Sequence, residues 1–80
     1  MALEANKWRF LEDRLIGYLA SGQELHLVEI GGPSGVTKPT VTETGAAICS
    51  MSIATEADTG KVFFFDEGTT AWVEQFAFQA

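Results

Sequence analysis

The chain has one cysteine, one histidine, two prolines and few basic residues in its 80 positions. A single cysteine, Cys49, excludes an internal disulfide framework. No apolar run approaches the roughly 20 residues that cross a bilayer as a helix. Lysine and arginine number five against eleven acids, a net charge of −6. After residue 20 only Lys38 and Lys61 stand against eight acids. Phosphate backbones and anionic lipid surfaces are held by clustered Lys and Arg. Direct nucleic-acid and membrane partners are therefore not expected. Residues 1–6 lack the basic start and apolar stretch of a secretory leader, so the expected setting is the cytoplasm.

Apolar residues, by contrast, are plentiful. They make up 46% of the chain, with six Phe and two Trp, too many for a disordered acidic tail. Eighty residues imply a single domain, 1–80, with a thin core, since a chain this short buries only about 60–65% of its unfolded surface. The aromatic side chains need cover, either in this core or against a neighbour.

Residues 2–21 read as a helix. Trp8, Leu11, Leu15, Tyr18 and Leu19 recur at helical spacing, and together they form one stripe. Gly22 is placed to end the helix in a left-handed cap. Leu3 and Phe10 point away from the stripe. Residues 24–30 read as a possible strand of poor alternation, with Leu25 and Leu27 to one side and Val28 and Ile30 to the other. Residues 31–44, with four breakers in Gly31-Gly32-Pro33-Ser34-Gly35 and another at Pro39, read as a loop.

Residues 45–79 read as a three-stranded antiparallel meander. In 46–54, alternation puts Ala47, Cys49, Met51 and Ile53 on one face and Ser50 and Ser52 on the other. Asp58-Thr59-Gly60 and Asp66 to Thr70 are turn signals. Lys61 to Phe65 is the strongest strand, sending Phe63 and Phe65 to one face and Val62 and Phe64 to the other. Ala71 to Phe78 follows, with Trp72, Phe76 and Phe78 aligned. The expected fold is α+β, a helix packed on a small antiparallel sheet.

No motif carries catalysis. Asp58-Thr59-Gly60 matches the aspartic-protease tripeptide, but that chemistry needs two paired Asp, and the hairpin context favours a turn. Gly31 to Lys38 resembles a phosphate loop, yet no Gly precedes Lys38 and Pro39 stands where Ser or Thr belongs. His26 and Cys49 read as packing residues rather than as base and nucleophile. Asp66-Glu67 and Glu56-Asp58 fall far short of a calcium loop. The expectation is no enzyme, no cofactor, no metal and no small-molecule substrate.

Lys38 to Gln75 is the most distinctive stretch. Its Lys-Pro-Thr lead-in, strand, Asp58-Thr59-Gly60-Lys61-Val62, aromatic pair Phe63 and Phe65, acidic turn at Asp66 and closing Trp72-Val73 resemble small virion structural proteins of tailed bacteriophages and prophages, of head-fibre or appendage type. The resemblance covers about half of the chain and leaves the front segment outside it. It implies a structural part of a phage particle, located in the virion and in the host cytoplasm during assembly. Its partners would be other copies of itself or other virion proteins. The expected contact residues are Leu3, Phe10, Phe64, Phe76 and Phe78, apolar side chains in excess of one thin core. An acidic inhibitor that mimics nucleic acid and binds a basic protein is the alternative; it would need its acids clustered on one face.

Overall fold

The structure, a computed structural model, describes residues 7–75, and among these there is no helix. Six strands form one mixed sheet: β1 (Arg9–Tyr18), β2 (Glu24–Gly32), β3 (Ala47–Ile48), β4 (Ile53–Glu56), β5 (Val62–Asp66) and β6 (Ala71–Glu74). The order is β1-β2-β4-β5-β6, with β3 also beside β2. β2 makes the most pairings. It pairs antiparallel with β1 and parallel with β3 and β4, end to end along its other edge. β4, β5 and β6 then run antiparallel. The molecule is a slab 39 × 37 × 17 Å in extent.

The expected α+β fold is thus corrected to all-β. Where a helix over 2–21 was expected, residues 9–18 form the longest strand. The cause lies in its pairing with β2, which slips between Phe10 and Glu12 and again between Leu15 and Gly17. Each slip inserts one extra residue, Leu11 and Ile16, as a bulge. Side chains sharing the face of Val28 and Ile30 therefore fall at Phe10, Asp13, Leu15 and Tyr18. Of the expected stripe, Leu15 and Tyr18 lie on that face and Trp8 packs into the core on the same side, whereas Leu11 lies on the opposite face, so the stripe is not one surface of the strand. Gly22 does adopt a left-handed φ of +90°, but it turns the β1–β2 hairpin instead of capping a helix, with its N–H donating to the Leu19 carbonyl.

The second correction concerns 46–54. The expected continuous antiparallel strand breaks into β3 and β4 around a turn at Cys49–Ser52, and both pieces lie parallel to β2. Ser52 is fully buried and its Oγ accepts the Val28 N–H. Met51 sits at φ +75° and is 63% exposed. The alternation expected through this stretch does not hold.

Parallel neighbours need a long crossover. Residues 33–46 supply it as a strap across one face of the sheet. Beneath it lies the core of Trp8, Val28, Ile30, Ile48, Ala54 and Phe65, with Phe10, Phe63 and Trp72 packed alongside. The Phe65 and Trp72 rings meet edge to face, 5.0 Å between centroids. Both indoles donate to the strap: Trp8 Nε1 to the Val36 carbonyl and Trp72 Nε1 to the Pro39 carbonyl, each at 2.8 Å. The chain passes so close at Gly32 that a Cβ there would lie 2.6 Å from the Trp8 ring and 2.9 Å from its Cα.

Two substitutions test this face. Trp8→Phe keeps most of the ring but removes the N–H, and is expected to cost about 1–2 kcal/mol in denaturant melts. Gly32→Ala is expected to cost about 1–3 kcal/mol, because the Trp8 backbone must move. An unchanged melt for Gly32→Ala would mean that Trp8 does not pack there.

Candidate interaction face

The two sides of the sheet differ. Register sends Trp8, Phe10, Val28, Ile30, Ile48, Ala54, Phe63, Phe65 and Trp72 under the strap. On the other side the described residues form no second layer. Across it runs one row of directly opposed residues, Glu12–Glu29–Ile53–Phe64–Val73. A second row is Arg9–Gly31–Thr55–Val62 and a third pairs Arg14 with Leu27. Leu11 lies over Gly31 on this side, its Cδ1 3.4 Å from where a Cβ would stand. Leu11, Met51 and Val73 are 62%, 63% and 51% exposed. A shallow depression of about 100 Å³ opens between Arg14, Leu27, Met51 and Ile53. The apolar column over β4–β6 and the charged residues of β1–β2 thus share one surface that no other described residue covers.

Met51 is unusual among these. A non-glycine residue in the left-handed region stores strain that the surrounding structure must hold in place. Two cross-bonds hold this turn: the Ser50 N–H donates to the Glu67 carboxylate at 2.7 Å, and the Glu67 N–H donates to Ser50 Oγ at 2.9 Å. The result lifts a flexible, polarizable side chain onto the open face. Thioethers of this kind adapt to varied surfaces.

Polar groups on the covered side are matched internally. Lys38 Nζ donates to the Glu56 carboxylate at 3.0 Å and lies 3.7 Å above the Phe63 ring centroid. Glu56 is buried, and its carboxyl is held below the ordinary 4.5 by the Thr59 hydroxyl first and by Lys38 next. The Ser34 hydroxyl and N–H donate to Asp58, which is likewise held low. His26 sits between Glu24 and Asp13, whose carboxylates raise it above 6.5, Glu24 contributing most. The Cys49 N–H donates to the His26 carbonyl, so the backbone brings the two residues together. Their side chains do not meet: both ring nitrogens are taken by carboxylates, and the thiol donates to the Ser50 carbonyl. Burial pushes the Cys49 thiol up. Asp58-Thr59-Gly60 forms the β4–β5 turn, with Gly60 at φ +77°. Among the described residues no cluster of His, Cys, Asp and Glu could hold a metal ion, and no helix is long and apolar enough to cross a membrane.

The structure separates the expected contact residues. Phe64 lies half-buried in the middle of the open face. Phe10 packs against the core on the covered side. Leu3, Phe76 and Phe78 lie outside the described residues. Leu27, Met51, Ile53 and Val73 belong to the same face as Phe64 and were missed. For Met51 and Ile53 the signal was the pair of serines, Ser50 and Ser52, which suit a turn at 49–52; Leu27 and Val73 carried none. No family model, curated protein or solved structure matches the chain.

The pKa shifts set a pH window. The depressed carboxyls, Glu56 and Asp58, contribute stability that is fully present above their unfolded values and lost as pH falls through the folded ones. His26, raised, contributes stability fully present below about 6.5 and lost as pH rises through its folded value. The thermal midpoint is therefore expected to be highest near pH 5–6.5 and to fall on either side. His26→Gln should abolish the alkaline decline and leave the acid one. Lys38→Met should lower the midpoint throughout and most at neutral pH, where it leaves a buried carboxylate without its cation. An identical pH profile for His26→Gln would show that the Asp13–His26–Glu24 bridge carries no stability.

Proposed function

We propose that this chain is a structural subunit that works by burying its open sheet face against protein, in a phage or prophage particle as the resemblance of Lys38 to Gln75 implies. The observation that carries the proposal is the uncovered surface of Leu11, Leu27, Met51, Ile53, Phe64 and Val73. A sheet that is apolar on both sides needs a layer on each, and the strap supplies one. Contiguous exposed apolar surface marks interaction sites.

The placement of the acids favours this reading over the acidic inhibitor. A mimic presents its carboxylates outward as one array. Here Glu56 is bound to Lys38, Asp58 to Ser34, and Asp13 and Glu24 to His26, while Asp66 and Glu67 accept N–H groups at turns.

Particles purified from a phage or induced prophage that encodes the chain are expected to contain it. Phe64→Glu should fold, judged by circular dichroism, and be lost from the particles. Phe10→Glu should instead unfold the protein, since it places a charge beside the core. A folded Phe64→Glu chain recovered in particles at the wild-type level would overturn the assignment of the open face as the docking surface.

A further inference from the structure

We infer that the open face docks a second copy of this chain, face to face about a two-fold axis, so that two slabs close into one sandwich; this rests on the docking-face reading above. Three observations favour a copy of the chain itself over an unlike partner.

The first is charge. The chain carries −6, which by itself opposes self-association. Yet the strand positions that register places on the open side over β1 and β2 are Arg9 and Arg14 against Glu12 and Glu29, which balance. Asp66, at the far end of β5, turns its carboxylate back to the Gly68 N–H and the Thr69 hydroxyl. The remaining acids among the described residues lie under the strap, on the rim or in turns. A surface meant for a basic partner would be acidic. This one is self-complementary: a two-fold contact brings residue i to j and j to i. An axis running between the Glu29 row and the Leu27 row sets Arg14 against the partner's Glu12 twice over.

The second is size. A slab of 39 × 37 Å offers a face on the order of 1,000 Å², and a stable interface takes about 800 Å² from each partner. Two sheets pack about 10 Å apart, and a flat face of pleated strands is the shape that a second such face fits.

The third is the state of the edges. Edge-to-edge pairing is the other route to a dimer. β1 opposes it with bulges at Leu11 and Ile16 and with the charges Glu12, Asp13 and Arg14, the usual devices of a blunted edge. β6, the opposite edge, is four residues long. The face is left as the way to a closed pair.

Sedimentation equilibrium of the purified chain tests this. Wild type is expected at twice 8.7 kDa at about 100 μM. Arg14→Glu makes the charged part of the face wholly acidic except for Arg9; Glu12→Arg with Glu29→Arg makes it wholly basic. Each variant alone is expected to be a folded monomer, with dimer affinity down roughly tenfold or more. Mixing the two is expected to restore a 1:1 dimer, which only pairing between chains can do. Val73→Lys, at an exposed position far from these charges, is the companion should either charge variant fail to fold; it is expected to give a folded monomer. A wild-type dimer that Val73→Lys and both charge variants leave intact would overturn the proposal by placing the interface elsewhere. A wild-type monomer at every concentration would also overturn it. The dye anilinonaphthalene sulfonate then separates the two readings. Binding by the monomer that Phe64→Glu removes keeps the docking face while rejecting the second copy. No binding rejects both.

Discussion

The strap over the core is held by directed bonds more than by its own apolar weight. Val36 and Val41, its two branched aliphatic side chains, are exposed, and Ala46 at its end is the small one it buries. It is fastened instead by two indole N–H groups reaching its carbonyls, by the Ser34–Asp58 bonds, and by Lys38 running down between two rings to Glu56. Replacing a buried ion pair by apolar residues is often neutral for stability. Such a pair fixes position, however, because it tolerates one geometry and penalises the rest. Lys38–Glu56 sets where the strap crosses, and the crossing sets where β3 and β4 lie against β2. The thin core depends on that placement, since Ile48 and Ala54 enter it from these two strands.

With the strap committed to one side, the other side inherits the problem of an apolar sheet without cover. Ile53, Val62 and Phe64 are there because strands rich in β-branched and aromatic residues alternate. Moving them inward would take a one-residue slip that also turned Ala54 and Phe63 out. The open face is thus a consequence of a sheet built apolar on both sides whose described residues make one crossover. The same register that buries Phe65 against Trp72 lays Phe64 beside Val73 in the open.

How much of this could be read from the residues varied along the chain. The turns at Gly60 and Gly68, the Phe-rich strand and its alternation are local, and local chemistry specifies them: a left-handed glycine, an Asx turn, a pleat. The opposed faces of Phe63 and Phe64 follow from the same period. What could not be read depends on pairing. The Leu, Glu and Arg of β1 have good helix propensity that pairing with β2 overrides. The parallel seam beside β2 leaves no local mark, because the partners are distant in sequence. Phe10 and Phe64 looked alike as surplus aromatics; only the register places one under the strap and the other on the open face.

The path of the chain through the sheet has a mechanical consequence. One continuous row, Phe10–Ile30–Ala54–Phe63–Glu74, crosses all the way from β1 to β6. The described chain therefore enters and leaves at the same end of the slab, on opposite edges. Tension applied between those two points runs across the strands, not along them. Across strands, hydrogen bonds are loaded one after another, as in a zip; along strands they would share the load in shear. Pulled by its ends, this sheet is weak. A part built this way bears force only if it is gripped over its broad surface.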